Sequence, residues 1–265
     1  MVSPLHTVTD PDAPVVTADP SALGHPASDV GVLVSTQPDL QLFQNCVDAA
    51  GCRSRRFLMG QALTIDRPDG GGGVVLGPYI GAPYAAMLLE QLVAWGCRQV
   101  VCLGWCGSLV PDLSAGDVIL ATAACCDDGV SRIYTGHDCP EILSTGTDDP
   151  ILQAYLRALT VPVKTGCIWT TDALYRETPA RIDGFRDSGA IAVDMETAGL
   201  FAVSAFHGVQ LSSLLVVSDQ VGNRTWKKGF KKQEFIAHRK QLISCLANWS
   251  LNAEYRDKDG NNDAG

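Results

Sequence analysis

The chain has 265 residues, enough for one large α/β domain with a full core, and its 46% hydrophobic and 18% charged residues make an ordinary globular balance. No apolar run approaches the roughly 20 residues that a membrane span needs. A formal net charge of -9 excludes the broad basic face required by nucleic acid or an anionic membrane surface, so a small molecule is the expected partner.

Residues 1–28 are rich in Pro, Ala, Asp and Ser and read as an N-terminal arm, partly disordered. The arm lacks a basic segment followed by an apolar one, so no secretion signal is expected and the cytoplasm is the expected compartment. The folded domain is expected over residues 29–252, followed by a polar, disordered tail over 253–265. Within the domain, residues 30–34 read as a strand, 39–50 as a helix and 57–65 as extended chain. The tetraglycine after Asp69 has no helix close behind it and reads as a loop rather than a phosphate cradle, leading to a strand over 74–76. A helix over 83–95 carries apolar Ala86, Leu89 and Val93 and ends at Gly96. Residues 99–103 form a buried strand that runs into the glycine-punctuated turn Gly104-Trp105-Cys106-Gly107-Ser108-Leu109, where backbone N–H groups can approach a ligand. Further strands are expected over 118–125, 168–171 and 214–217, with helices over 179–188 and 233–250. Strands alternating with helices, without an internal repeat, favour a single α/β/α domain.

Ten cysteines are present, but Cys97, Cys102, Cys106, Cys125 and Cys126 lie in apolar surroundings with no CxxC spacing. They read as buried reduced thiols rather than disulfides, and no metal site is expected.

Two acids sit where regular elements meet irregular chain. After Glu196, in Val193-Asp194-Met195-Glu196-Thr197-Ala198, the apolar positions take helical spacing, which places Glu196 at a helix start. Asp219 closes the buried strand Leu214-Leu215-Val216-Val217-Ser218-Asp219. Open α/β sheets bind ligands beyond the carboxyl ends of their strands. A carboxylate at a helix N-terminus is favoured in its ionised form and can hold a diol, while a more enclosed one can carry a proton. The plain alternative makes Glu196 a first-turn acid and Asp219 a capping residue.

Three blocks coincide in order and spacing: Gly81-Ala82-Pro83-Tyr84-Ala85-Ala86, Gly104 to Leu109 followed by Gly116-Asp117-Val118, and Val193 to Ala198 followed by Val217-Ser218-Asp219. Together they resemble the nucleoside phosphorylase superfamily, which includes trimeric or hexameric purine nucleoside phosphorylases, uridine phosphorylases and related nucleosidases. The resemblance spans roughly residues 30–250. It implies a three-layer α/β/α domain with a central mixed, partly closed sheet, a nucleoside-sized pocket, and a homodimer or homohexamer whose subunits share sites. By the same resemblance, Met195 and Glu196 hold the ribose, and Asp219 assists the departing base in the manner of purine-specific members. The segment from Trp169 to Thr178 matches the base-pocket loop, making Thr171, Tyr175 and Arg176 candidates for base contacts. No cofactor is implied, although inorganic phosphate is a possible co-substrate.

The resemblance breaks at the nucleophile. Phosphorylases of the family hold phosphate with a Gly-Asp-Pro-x-Arg turn, a strand arginine and a Ser or Thr in the glycine turn. Here the matching positions read Thr36-Gln37-Pro38-Asp39-Leu40, Cys102 and Trp105. Losing two arginines removes the strongest charge-assisted contacts to a phosphate dianion. Arg55 or Arg56 matches an arginine donated by a neighbouring subunit, and His6 and His25 are candidates for the 5′ contact. Three readings stand: hydrolysis with Asp39 orienting water, phosphorolysis with a rebuilt anion site that uses Arg55, Arg56 or the basic run from Arg224 to Lys232 as a lid, and a non-catalytic nucleoside-binding or storage protein.

Overall fold

The computed structural model describes residues 14–21, 29–48, 51–66, 72–136 and 139–252. Most of the expected arm, both His6 and His25, part of the tetraglycine and the tail over 253–265 lie outside the described residues. In chain order the elements are β1 (Val30–Val34), α1 (Gln37–Val47), β2 (Arg53–Phe57), β3 (Gly60–Asp66), β4 (Gly72–Gly77), α2 (Ala82–Ala94), β5 (Gln99–Ser108) and β6 (Val118–Asp127). They continue with α3 (Gly129–Thr135), β7 (Glu141–Leu143), α4 (Pro150–Arg157), β8 (Val163–Thr171), α5 (Pro179–Asp187), β9 (Ala190–Asp194), α6 (Thr197–His207), β10 (Gln210–Gln220), β11 (Lys227–Lys228) and α7 (Gln233–Asn252).

Among the described residues, the strands join one mixed sheet in the order β11-β10-β6-β8-β9-β5-β1-β4-β3-β2, with β7 on β6. An additional pairing of β10 with β5 closes five strands, β10, β6, β8, β9 and β5, into a ring, while β1, β4, β3 and β2 extend from it as an open sheet. The sheet is therefore mixed and partly closed. β1 shows why its sequence is an unbroken apolar run: Leu33 packs into one core with α2 and α6, while Val30, Val32 and Val34 pack into another with α1 and α7. A strand covered on both faces has no polar side to present. A third, smaller core beneath α5 holds Cys125, Trp169, Ile182 and Val193. Among the described residues, no helix is long and apolar enough to cross a membrane.

Two local readings change. The expected turn at Gly104 to Leu109 is the continuation of β5, straight through to Ser108. Gly104 and Gly107 serve close packing instead: a Cβ at Gly104 would lie 3.0 Å from Leu215 Cδ2, and one at Gly107 would lie 3.3 Å from Val193 Cγ1. The chain around residues 57–65 is a hairpin, β2 paired antiparallel to β3, whose exposed arginine-rich strand lacks the apolar alternation that would announce it.

Candidate active site

A cavity of about 840 Å³ opens where β1 and β4 end, and it is walled by β5, the end of β9 and the end of β10. Of the residues singled out from sequence, Trp105, Tyr175, Met195, Glu196 and Asp219 line it. Asp39, Thr171, Arg176, Arg55 and Arg56 do not.

Glu196 is the N-cap of α6, as its sequence position predicts. Its Oε1 accepts the Gly81 N–H at 2.6 Å, and its Oε2 accepts the Met195 N–H at 3.3 Å. Gly81 has φ +79°, a conformation that side chains disfavour, and this aims its N–H across at the carboxylate. Asp194 builds the turn from behind: it accepts Thr170 Oγ1 at 2.6 Å, the Thr197 N–H at 3.0 Å and the Thr197 hydroxyl. Burial works against the expectation that the helix terminus keeps Glu196 ionised. Burial, reinforced by the Asp194 charge, outweighs the two N–H donors and pushes the Glu196 carboxyl up to about 8. Asp194 is itself pushed up to about 6 by burial, against the pull of its hydroxyl and N–H donors.

Asp219 reaches the cavity through an irregularity. The pairing of β10 with β5 shifts register between Val217 and Asp219, and such a bulge re-aims the side chain that follows it. Asp219 Oδ1 lies 2.5 Å from the Ser218 hydroxyl, and Oδ2 accepts the Trp226 indole N–H at 2.7 Å. Trp226 and Phe230 are what the basic run brings to the cavity; Lys228 lies outside, 4.3 Å over the Trp226 ring.

Glu177, which the sequence reading passed over, also lines the cavity. Burial, and then the charge of Asp219, pushes its carboxyl up to about 7. It lies inside the segment from Trp169 to Thr178, but it follows a short 3₁₀ turn, Leu174–Arg176, where no periodicity tells which side chain turns inward. In that same turn Tyr175 stands 94% exposed at the rim, and Arg176 points to solvent. Thr171 is buried in β8, and its hydroxyl lies 3.4 Å from the Ala173 N–H.

Asp39, expected to orient water, sits outside the cavity. Its side chain is 0% exposed and faces away from the cavity, with Oδ2 accepting the Trp105 indole N–H at 2.8 Å and Oδ1 lying 2.8 Å from Arg239 Nε. The Arg239 contact is misaligned for a hydrogen bond and acts as an ion pair. Arg239 also lies over the rings of Trp105 and Phe235, at 5.5 and 5.4 Å. Fully buried and outside the cavity lining, the Asp39 carboxylate does not reach a water in the cavity. The one-dimensional sequence could not show this, because Arg239 lies 200 positions away on α7. Arg55 and Arg56 stand on the exposed outer strand β2, away from the cavity of this chain.

A partly closed mixed sheet with a cavity carrying a Met-Glu pair and a strand-end aspartate defines a nucleoside phosphorylase-like fold. The sequence model of the phosphorylase superfamily matches residues 29–248, and the chain belongs to that superfamily. It is 30% identical over 149 residues to a DeoD-type purine nucleoside phosphorylase from Tolumonas auensis, covering 56% of this chain and 63% of the relative. A second relative, the DeoD-type 2 purine nucleoside phosphorylase of Vibrio cholerae, is 32% identical over 152 residues with the same coverage. The chain thus matches somewhat under two thirds of the length of these curated relatives. Among solved structures, a Toxoplasma gondii purine nucleoside phosphorylase in complex with immucillin-H superposes with a TM-score of 0.73 at 17% identity, covering 85% of this chain and 91% of that one. The Campylobacter jejuni 5′-methylthioadenosine/S-adenosyl homocysteine nucleosidase superposes with a TM-score of 0.71 at 15% identity, covering 85% and 99%. At such identities these two establish the fold.

Proposed function

We propose that the protein cleaves the N-glycosidic bond of a purine-type nucleoside, with water as the attacking group. The observation that carries this reading is the charge of the cavity: its lining holds Asp194, Glu196, Glu177 and Asp219 and, among the described residues, no Lys or Arg. A phosphate dianion entering such a site would meet acids and no cationic partner, whereas a neutral water meets no such penalty.

In this mechanism Glu196 accepts hydrogen bonds from the ribose diol, with Met195 against the sugar. Breaking the bond builds positive charge on the sugar, and the negative charge of Asp194, the more acidic member of the buried Asp194–Glu196 pair in the cavity lining, favours that charge. Asp219 and Glu177 face the base, and the proton that leaves with the base comes from this pair. A carboxyl raised to about 7 by burial and a neighbouring acid is suited to hold and donate a proton near neutral pH. Asp39 keeps a structural part in this scheme, anchoring the Trp105 wall. Cytoplasmic location and a homodimer or homohexamer belong to the same proposal, supported by the family the chain belongs to.

Incubating the protein with purine nucleosides, with and without phosphate, tests the reading by assay of free base. Equal release in both supports hydrolysis. Release only with phosphate would overturn it in favour of phosphorolysis, with Arg55 or Arg56 of a neighbouring copy then the remaining source of cationic charge. No release from any nucleoside would favour a binding or storage role.

A further inference from the structure

We infer that Cys125, Cys167 and Glu141 form a binding site for a thiophilic divalent cation of the zinc class, apart from the nucleoside cavity. The three residues come from three adjacent strands. Cys125 on β6 stands directly opposite Glu141 on β7 in their antiparallel ladder. Cys167 on β8 pairs with Ala123, two residues before Cys125 and therefore on the same face of β6. Register irregularities between Ala121 and Ala123 on β6, and between Cys167 and Ile168 on β8, accompany this placement.

The resulting geometry fits a metal. Cys125 Sγ lies 3.5 Å from Cys167 Sγ, Cys167 Sγ lies 3.5 Å from Glu141 Oε2, and all three ligand atoms fall within 4.8 Å of one another. Tetrahedral zinc with Zn–S of about 2.3 Å and Zn–O of about 2.1 Å requires S···S near 3.8 Å and S···O near 3.6 Å. The two 3.5 Å separations to Cys167 need to open by only a few tenths of an ångström, and Cys125 Sγ and Glu141, within 4.8 Å, reach about 3.6 Å by a small side-chain adjustment of the exposed Glu141. Two sulfurs with one carboxylate select a zinc-like ion over magnesium or calcium, which demand oxygen ligands. Neither thiol is engaged in a disulfide. Cys125 is buried beside Trp169 and Val193, whereas Cys167 is half-buried and Glu141 exposed, so the site opens on one side to solvent and leaves room for a water as fourth ligand. Binding would displace the two thiol protons to solvent and fasten β7, β6 and β8 together. β8 continues to Thr170, whose hydroxyl bonds Asp194 and caps the Ala198 N–H, so the clamp lies on the strand that holds the start of α6.

The test uses the full chain, reduced and stripped with a chelator, then titrated with Co²⁺ and Zn²⁺. One equivalent of Co²⁺ is expected to give a sulfur-to-cobalt charge-transfer band and tetrahedral visible absorption, and Zn²⁺ is expected to displace it and raise Tm. Cys167→Ser and Cys125→Ser should abolish the band. Glu141→Gln should weaken Zn²⁺ binding by at least the roughly 10- to 100-fold that losing a residue behind a ligand costs. Cys46→Ser and Cys126→Ser should leave the band intact. Cys167 is only half-buried, and its serine variant is expected to keep the far-ultraviolet circular dichroism of the parent, which separates loss of ligand from loss of fold. The proposal is overturned if no thiolate band appears, if the band survives in Cys167→Ser, or if it disappears in Cys126→Ser instead.

Discussion

The Trp105 indole N–H donates to Asp39 Oδ2 at 2.8 Å, so the side chain that walls the cavity is fastened to a carboxylate buried behind it. Arg239 completes the arrangement with its charge 2.8 Å from Oδ1. Replacing Asp39 by Asn leaves a largely buried guanidinium without its counter-charge, but burial already holds the Asp39 carboxyl above its ordinary range against the pull of Arg239, so the loss should fall below the roughly 3–5 kcal/mol of breaking a buried pair. Chemical denaturation should register that drop, while turnover per folded molecule stays close to that of the parent. A collapse of turnover in fully folded Asp39→Asn would return Asp39 to the role of orienting water.

Glu196 makes the folded state pH-sensitive. Its carboxyl is raised from an ordinary 4.5 to about 8, so between these values the native state holds a proton that the unfolded chain has released. Stability from this group is therefore fully present below about 4.5 and is lost as pH rises towards 8. Glu196→Gln does not titrate and still offers an oxygen to the Gly81 N–H. Its Tm relative to the parent should climb across this window and exceed it by at least about 2 °C at pH 8, while nucleoside cleavage falls sharply. A Tm difference that is flat with pH would contradict the assignment.

Glu177 should shape the pH profile of catalysis. With its carboxyl raised to about 7, the protonated form is lost as pH rises through that value. kcat/KM should fall on the alkaline side, and this limb should vanish in Glu177→Gln, which cannot titrate. An unchanged limb in the variant would show that another group donates the proton.

Asp219→Asn removes the acid paired with Glu177 but keeps a side chain that can accept the Trp226 N–H. Turnover of a purine nucleoside should drop by roughly 10²- to 10⁴-fold, with little change in Tm because the site is half-open to solvent. Steady-state kinetics beside thermal unfolding separates the two effects; undiminished turnover would remove Asp219 from the chemistry.

Much of this molecule is written in short-range pattern. The helix start at Glu196, the strand ending near Asp219 and the apolar run of β1 are consequences of local periodicity and of burial on both sheet faces, so the sequence by itself determined them along with the α/β class. Glycine positions are ambiguous at that level: Gly104 and Gly107 look like a turn, yet they allow close approach of Leu215 and Val193 within a continuous strand. What only the tertiary structure decided are relationships between residues far apart in the chain. Arg239 arrives from α7 to claim Asp39, Trp226 folds back on Asp219, Asp194 and burial reverse the charge preference of Glu196, and β7, β6 and β8 bring Glu141, Cys125 and Cys167 together without any CxxC spacing. Periodicity specifies which side of an element is apolar; it carries no information about which distant charge or thiol the closed sheet will place against it.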